Sequence, residues 1–445
     1  MVIVMRKLRH ITQNRSFINI LWLSADSLIR LGLGFLVSVW LARYLGPNDF
    51  GVYNYSFAII AIYSAVASLG MNGVVVRELV KGDVSKEIVM GSSFALQIVG
   101  SFIASLFVII TIIALRPGEL GLLYVVLLML PSVLLRSSDI IKYWFESVIS
   151  AKYSVIAQNV SFFISSIIKI LIIINKGSYY LIAGTVTLEA FIAAILLFYF
   201  YRKNHPPIKW AFDGKEAKRL LSISWPLILS GVALMLYMRI DQIMIGNMLG
   251  NASVGVYSVA VKMVEVWYFF PMAIVSSIFP KIIRSREINI TEYNNKLQFL
   301  YDVLVIISVC LAIIVTFASD YIIDFFYNNE YANASTLIKL YAWVSIFYFL
   351  SSASGRWYIN EGLQKYALNR NVVGLLIGVY LNYILIPKFG AEGSVYATLI
   401  AYGCAGYLFD AISKKTRIAF IQKSRSLWLP GTLVRLFKYY KVKNV

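Results

Sequence analysis

Six cations lie inside apolar stretches where a bilayer would make each of them costly: Arg30, Arg136, Lys169, Arg239, Lys262 and Lys339. The same stretches hold the acids Asp26, Asp139, Glu189, Asp241, Glu265 and Asp302. A charge facing lipid at a helix centre costs at least ~2.5–3.5 kcal/mol, so six cations would cost ~15–20 kcal/mol, and most must face water or a partner. Arg136, Asp139, Asp302 and Lys339 fall near span ends, where snorkelling to the interface accounts for them. Arg30, Lys169, Glu189, Arg239 and Lys262 lie deeper. Asp26 and Arg30 are spaced i,i+4 and can pair on one helix face, as can Lys262 and Glu265 at i,i+3. Arg239 and Asp241, two residues apart, point to different faces and need different partners. Arg holds an oxyanion with two parallel hydrogen bonds, Lys with a point charge, and a buried carboxylate takes up a proton or a small cation. The chemistry these residues offer is anion recognition and ion exchange.

Bond-making chemistry lacks its parts. No GxxxxGK[ST], HExxH, paired CxxC or GxSxG occurs in the chain. His10 and His205 sit in basic segments away from any acid or nucleophile, and Cys310 and Cys404 lie in apolar runs. Two cysteines build neither a four-ligand zinc site nor a disulfide framework. No catalytic residue, metal site or resident cofactor is expected. An integral-membrane polysaccharide polymerase is the enzymatic rival, but it calls for a sizeable loop, and the longest connection on the sparsely charged side spans only 319–332.

The elements that position these charges follow from composition. Of 445 residues 59% are hydrophobic and 14% charged, with a mean hydropathy of +0.73, far from a soluble domain. A crossing helix needs ~20 mostly apolar residues. Twelve runs qualify: 17–43, 50–70, 90–115, 120–140, 153–174, 178–201, 221–247, 253–279, 297–318, 333–354, 370–387 and 393–413. The first is too long for a signal-peptide core and lacks a small-residue cleavage site, so it reads as a retained transmembrane helix.

Of the 41 Lys and Arg, 31 fall in segments on the N-terminal side of the membrane and only Arg43, Arg116, Lys176 and Lys388 in the opposite connections. Positive charge collects on the cytoplasmic side, so both termini are expected there. Most of the net +19 is then topology and contact with membrane lipids rather than nucleic-acid binding. The tail from Lys414 to Lys443 interleaves cations with Trp428, Leu433, Phe437 and Tyr440, as a helix lying on an anionic leaflet would.

The expected organisation is a basic tail (1–16), an N-lobe of six helices (17–201), a linker (202–220) containing His205-Pro206-Pro207, a C-lobe of six helices (221–413) and a basic amphipathic tail (414–445). Leu45-Gly46 through Gly51-Val52-Tyr53 aligns with Leu249-Gly250 through Gly255-Val256-Tyr257 at an offset of 204, each at the first turn of its half. Six helices per half make the halves parallel repeats around a central cavity, an arrangement that suits rocking about a midplane site. Pro226, Pro271, Gly32 and Gly34 interrupt spans, and Gly374 and Gly378 form a GxxxG packing face.

Gly46-Pro47, Phe50-Gly51 and Tyr53 in the first half, and Arg239-Ile240-Asp241-Gln242, Gly246, Gly250 and Gly255-Val256-Tyr257 in the second, resemble the bacterial Wzx-type O-antigen and capsule flippases. Glu265-Val266-Trp267, Pro271, Phe279-Pro280, Asn382, Ile386-Pro387, Gly390 and Gly393 extend the resemblance over about 17–413. These flippases belong to the multidrug/oligosaccharidyl-lipid/polysaccharide exporter superfamily. The resemblance implies an all-α polytopic fold and flipping of undecaprenyl-pyrophosphate-linked oligosaccharide units to the periplasmic leaflet of the bacterial inner membrane. It also implies a proton or sodium gradient as the drive, with a polysaccharide polymerase and a chain-length regulator as candidate partners. In that frame Arg30, Arg239, Lys169 and Lys262 are the candidate substrate-binding residues, and Asp26, Asp241, Glu265 and Glu189 the candidate ion-coupling residues. A cation-coupled multidrug antiporter of the same superfamily is the alternative, disfavoured by deep cations at least as numerous as deep acids.

Overall fold

The computed structural model describes residues 15–204 and 209–443, with side chains between 30 and 438 apart from Ile288. His10 and His205-Pro206-Pro207 therefore lie outside the described residues, and the side chain of Asp26 outside the described side chains. Every regular element among the described residues is helical, as lipid requires of a chain that must satisfy its backbone groups internally.

In chain order the helices are α1 Arg15–Ala67, α2 Met71–Lys81, α3 Lys86–Leu115, α4 Leu120–Met129, α5 Pro131–Leu134, α6 Ile140–Ser147, α7 Lys152–Ile174 and α8 Tyr179–Asn204. They continue as α9 Gly214–Leu249, α10 Asn251–Glu265, α11 Phe269–Ile288, α12 Ile290–Phe326, α13 Ala334–Tyr341, α14 Val344–Asn360, α15 Gln364–Phe389 and α16 Ala391–Gly406. Two tail helices follow, α17 Arg417–Leu427 and α18 Leu429–Lys443. Nine described helical stretches are long and apolar enough to cross a membrane, or ten when the α13–α14 pair, bent by 41°, counts as one span. The twelve apolar runs map onto these because α1 carries the first two, joined across a break at Gly46, and α16, at 16 residues, carries the last.

The chain divides into two compact units. One comprises residues 1–45 and 52–239, the other 46–51 and 240–445. The division falls inside α9, beyond the segment that reads as a linker.

Within the first unit the sparsely charged turns gather at one end. Tyr44 Oη donates to the Gly177 carbonyl at 2.7 Å, and Arg116, bidentate to Glu119 at 2.6 and 2.8 Å, lies 5.2 Å from the Tyr55 ring centroid. The basic connections gather at the other. There the chain at 209–213 packs on the start of α3: Ala211 N donates to the Glu87 carbonyl at 3.1 Å, and a Cβ on Gly91 would lie 2.2 Å from the Ala211 oxygen. Arg219 bridges buried Glu78 at 2.6 Å and Glu216 at 2.8 Å, tying α9 to α2. Beneath lies a core of Met71, Val75, Met90, Ile141, Trp144 and Tyr201.

The second unit contains residues 46–51 of the first repeated turn and the whole of the second. Gly46 and Gly250 occupy equivalent positions with φ +67° and +87°, a region L side chains rarely adopt. Gly51 and Gly255 let the two copies meet backbone to backbone. A Cβ on Gly51 would lie 1.8 Å from the Asn251 oxygen, and one on Gly255 2.0 Å from the Pro47 oxygen. With the offset of 204, each contact is the other's counterpart. This is the geometry of a pseudo-two-fold axis, so the echo in sequence is an echo in space.

The tail departs from its expected place. Instead of resting only on a leaflet, α17 buries Ala419, Gln422, Lys423 and Ser426 and packs on α12. Asp302, expected to snorkel, is 1% exposed. It accepts from Arg435 Nε and Nη2 at 2.8 Å each, from Ser426 Oγ at 2.6 Å and from Gln298 Nε2 at 2.9 Å. The tail's cations neutralise an acid that sequence left without a partner.

Candidate functional site

In the first unit the helix carrying Arg30 continues through Gly32 and Gly34. A Cβ at Gly32 would meet nothing within 4 Å, and one at Gly34 would touch only the Phe162 ring at 3.7 Å. Arg30 Nη1 lies 3.7 Å from Glu189 Oε1 of α8, and its guanidinium carbon 5.5 Å from the Phe162 centroid of α7. The pair is loose and partly hydrated, the two side chains 30% and 26% exposed, so it contributes on the order of 1 kcal/mol or less. Sequence spacing offered Asp26 as the partner of Arg30; the structure adds Glu189, from a distant helix.

Lys169, on α7 as Phe162 is, is 8% exposed and pairs with no described carboxylate. Seven residues are two helical turns, so Phe162 and Lys169 share a face. Lys169 thus carries a cation with no described counter-charge, on a side chain that is mostly buried.

Arg239 and Asp241 lie on α9, where Arg239 is half-buried and Asp241 buried. Asp241 accepts from the Tyr257 hydroxyl at 2.5 Å and from the Gln242 backbone N–H at 2.7 Å. Tyr257, on α10, is fully buried and meets the Tyr341 ring edge-on at 6.1 Å. The carboxylate is thus fixed in place.

Lys262, on the same helix, sets its ammonium 4.8 Å from the Phe50 centroid, on the face where the two repeated turns meet. Glu265 is the last residue of α10, half-buried, before a short 3-10 turn at Val266–Tyr268. Each unit therefore carries deep charges of both signs. The structure joins Arg30 to Glu189 and Asp241 to Tyr257, and Lys262 belongs to the second unit.

Nearer the span ends, Lys339 donates to Asp320 at 2.8 and 2.9 Å, and Asp139 pairs with Lys142 at 2.8 Å and Arg136 at 3.4 Å. The GxxxG face of α15 meets α16 as expected, a Cβ on Gly378 lying 3.6 Å from that of Ala401. Among the described residues no cluster of three His, Cys, Asp or Glu could hold a metal ion.

Sequence reasoning missed the group around Asp410, Lys423, Arg370 and Tyr358. Its members fall at a span end, in the basic tail and in a basic connection, where each had an unremarkable explanation. The available signal was Asp410 itself, an acid closing an otherwise apolar run.

The family model described as polysaccharide biosynthesis protein matches residues 17–286, and one described as MatE matches residues 226–384. The chain is 24% identical over 401 residues to "Probable low-salt glycan biosynthesis flippase Agl15" of Haloferax volcanii, covering 86% of this chain and 81% of the relative. It is 22% identical over 386 residues to "Capsular polysaccharide biosynthesis protein CapF" of Staphylococcus aureus, covering 82% of this chain and 91% of the relative. Among solved structures, the lipid II flippase MurJ in an inward closed conformation superposes with a TM-score of 0.73 at 19% identity. The match covers 95% of this chain and 93% of that one, and it establishes the fold.

Proposed function

Because the chain belongs to the polysaccharide biosynthesis protein family and is a multi-pass membrane flippase or transporter rather than an enzyme, we propose that its cargo is a lipid-linked oligosaccharide. The link is a polyprenyl (undecaprenyl) pyrophosphate, whose anion Arg30, Lys169, Arg239 and Lys262 receive. The observation that carries this reading is that Lys169 is mostly buried and pairs with no described carboxylate, on the helix face of Phe162, whose ring Arg30 meets. A pyrophosphate satisfies both, bidentate on the guanidinium and as a counter-charge for the ammonium. The polyprenyl chain stays in lipid while the sugars cross in water.

A proton or sodium gradient drives the cycle in this reading, with Asp26, Glu189, Asp241 and Glu265 as coupling acids. When pyrophosphate takes Arg30, Glu189 is released from that cation. Asp241 offers a fixed carboxylate beside a hydroxyl. The membrane is the bacterial inner membrane, with both termini cytoplasmic.

The test is complementation. In cells lacking the gene, Arg30→Ala and Arg239→Ala at normal protein level are expected to lose surface glycan and strand lipid-linked units on the cytoplasmic leaflet. Full glycan from both variants sinks the assignment. The MatE match over residues 226–384 supports a second reading, a cation-coupled multidrug antiporter. Unchanged glycan on deletion, with altered sensitivity to cationic drugs, would establish that one.

A further inference from the structure

The tail helix α17 follows the last apolar run, yet it turns one lysine wholly inward. Lys423 and Asp410 are both 0% exposed, their charged atoms 2.6 Å apart. The ammonium also donates to the Gly406 carbonyl at 2.6 Å and to Ser354 Oγ at 3.0 Å. Tyr358 of α14 donates its hydroxyl to the other carboxylate oxygen of Asp410. From α15, Arg370, 6% exposed, donates Nη1 to Ser354 Oγ at 2.8 Å and sets its guanidinium 5.2 Å from the Tyr358 centroid. The Arg370 Nε has no acceptor. From α12, Tyr301 places its ring 5.9 Å from the Lys423 ammonium, and its hydroxyl is unpartnered. The neighbouring acid on α12, Asp302, is taken by Arg435 of α18.

Fully protonated, this buried group holds two cations and one carboxylate, an excess of one positive charge. Arginine does not deprotonate in proteins; a buried lysine does. Loss of one proton from Lys423 leaves Asp410 and Arg370 balanced, with a neutral amine whose two N–H groups still serve Asp410 and the Gly406 carbonyl.

We propose that Lys423, Asp410 and Arg370 form a proton-exchange site that couples the docking of α17 to the uptake and release of one proton. The proton leaves the Lys423 nitrogen for solvent and returns to it, with no other bond made or broken. Burial pushes the Lys423 ammonium down to about 8, against the opposing pull of Asp410 and with Arg370 adding to the push. Undocked and hydrated, the lysine returns to its ordinary value near 10.5. Between these limits the docked state binds fewer protons. Docking is therefore weakest and constant below about 8 and strengthens as pH rises through the window. Between pH 7 and 9 the gain is about tenfold. The site works whatever the chain carries.

Hydrogen–deuterium exchange on the full-length protein in nanodiscs reads it directly. Protection factors of amides in 417–427, corrected for the intrinsic exchange rate, are expected to rise about tenfold from pH 7 to 9. Amides in the middle of α12 should show no such slope. Lys423→Met should flatten the slope, whereas Arg435→Met should lower protection at every pH and keep it. Should Lys423→Met fail to fold, Asp410→Asn serves: without the carboxylate the lysine loses its proton more readily, so the rise begins at lower pH. A flat wild-type profile overturns the proposal, as does a slope that persists in Lys423→Met or stays unmoved in Asp410→Asn.

Discussion

The contact between the repeated turns makes a quantitative demand on two glycines. An added Cβ on Gly51 would lie 1.8 Å from the Asn251 oxygen and 2.6 Å from its carbonyl carbon. Ordinary contact begins near 3.4 Å, so Gly51→Ala must drive two backbone segments apart by roughly 1.5 Å, and a backbone carbonyl cannot swing aside as a side chain can. Overpacking costs ~1–3 kcal/mol, here toward the upper end, and alanine's better helix propensity returns ~1 kcal/mol. The closed contact should weaken by ~2 kcal/mol, about thirtyfold in its equilibrium constant. Gly255→Ala, at 2.0 Å from the Pro47 oxygen, should do the same. Since both act on one interface, the double variant should cost clearly less than the sum of the two. The assay is a reporter cysteine at fully buried Val254, with Cys310 and Cys404 replaced by serine. An impermeant maleimide should label it about thirtyfold faster in Gly51→Ala than in the parent. Equal labelling rates together with an unchanged thermal midpoint would refute the steric argument.

Three other substitutions probe the charges. Lys169→Met removes a cation that has no described carboxylate and should lower glycan export at normal protein level; unchanged export counts against it as a cargo residue. Arg435→Met leaves the carboxylate of Asp302 buried without its cation and should cost ~2–4 kcal/mol in docking of the tail, read as faster proteolysis after α16. Tyr257→Phe removes the hydroxyl that Asp241 accepts, costing ~1–3 kcal/mol in the melting curve; it should also shift the ion dependence of transport, and an unshifted dependence counts against Asp241 as a coupling acid.

The helices were legible because lipid leaves few alternatives: a run of apolar residues either crosses or stays buried. The duplicated turn was legible because glycines were needed at both copies for the same two reasons, a positive φ at Gly46 and Gly250 and a close approach at Gly51 and Gly255. Partner choice was less so. Helical spacing finds pairs within one helix, such as Asp26 with Arg30, but it is blind to pairs made across the fold. Glu189 with Arg30 and Arg435 with Asp302 each bring together helices more than 100 residues apart in the chain. Charge counting misled at the tail for a related reason. A basic segment beside an anionic leaflet explains itself, and nothing in composition says that two of its nine cations are committed to acids of the helical unit.

Those commitments also distinguish the two units. In the second, Asp241, Asp302 and Asp410 are each held by short hydrogen bonds or ion pairs, so their carboxylates are fixed in place. In the first, the Arg30–Glu189 pair is long and half-hydrated, and Lys169 has no described acid. An anionic cargo gains most at a cation with no described acid, such as Lys169. A small cation or proton gains most at a carboxylate already desolvated and oriented. Under the proposed function the first unit accordingly supplies most of the affinity for pyrophosphate, and the second the acid that senses the ion. Substitutions at Arg30 and Lys169 should then act chiefly on cargo, and those at Asp241 and Tyr257 chiefly on ion dependence. A coupling change from Lys169→Met as large as that from Tyr257→Phe would dissolve the distinction.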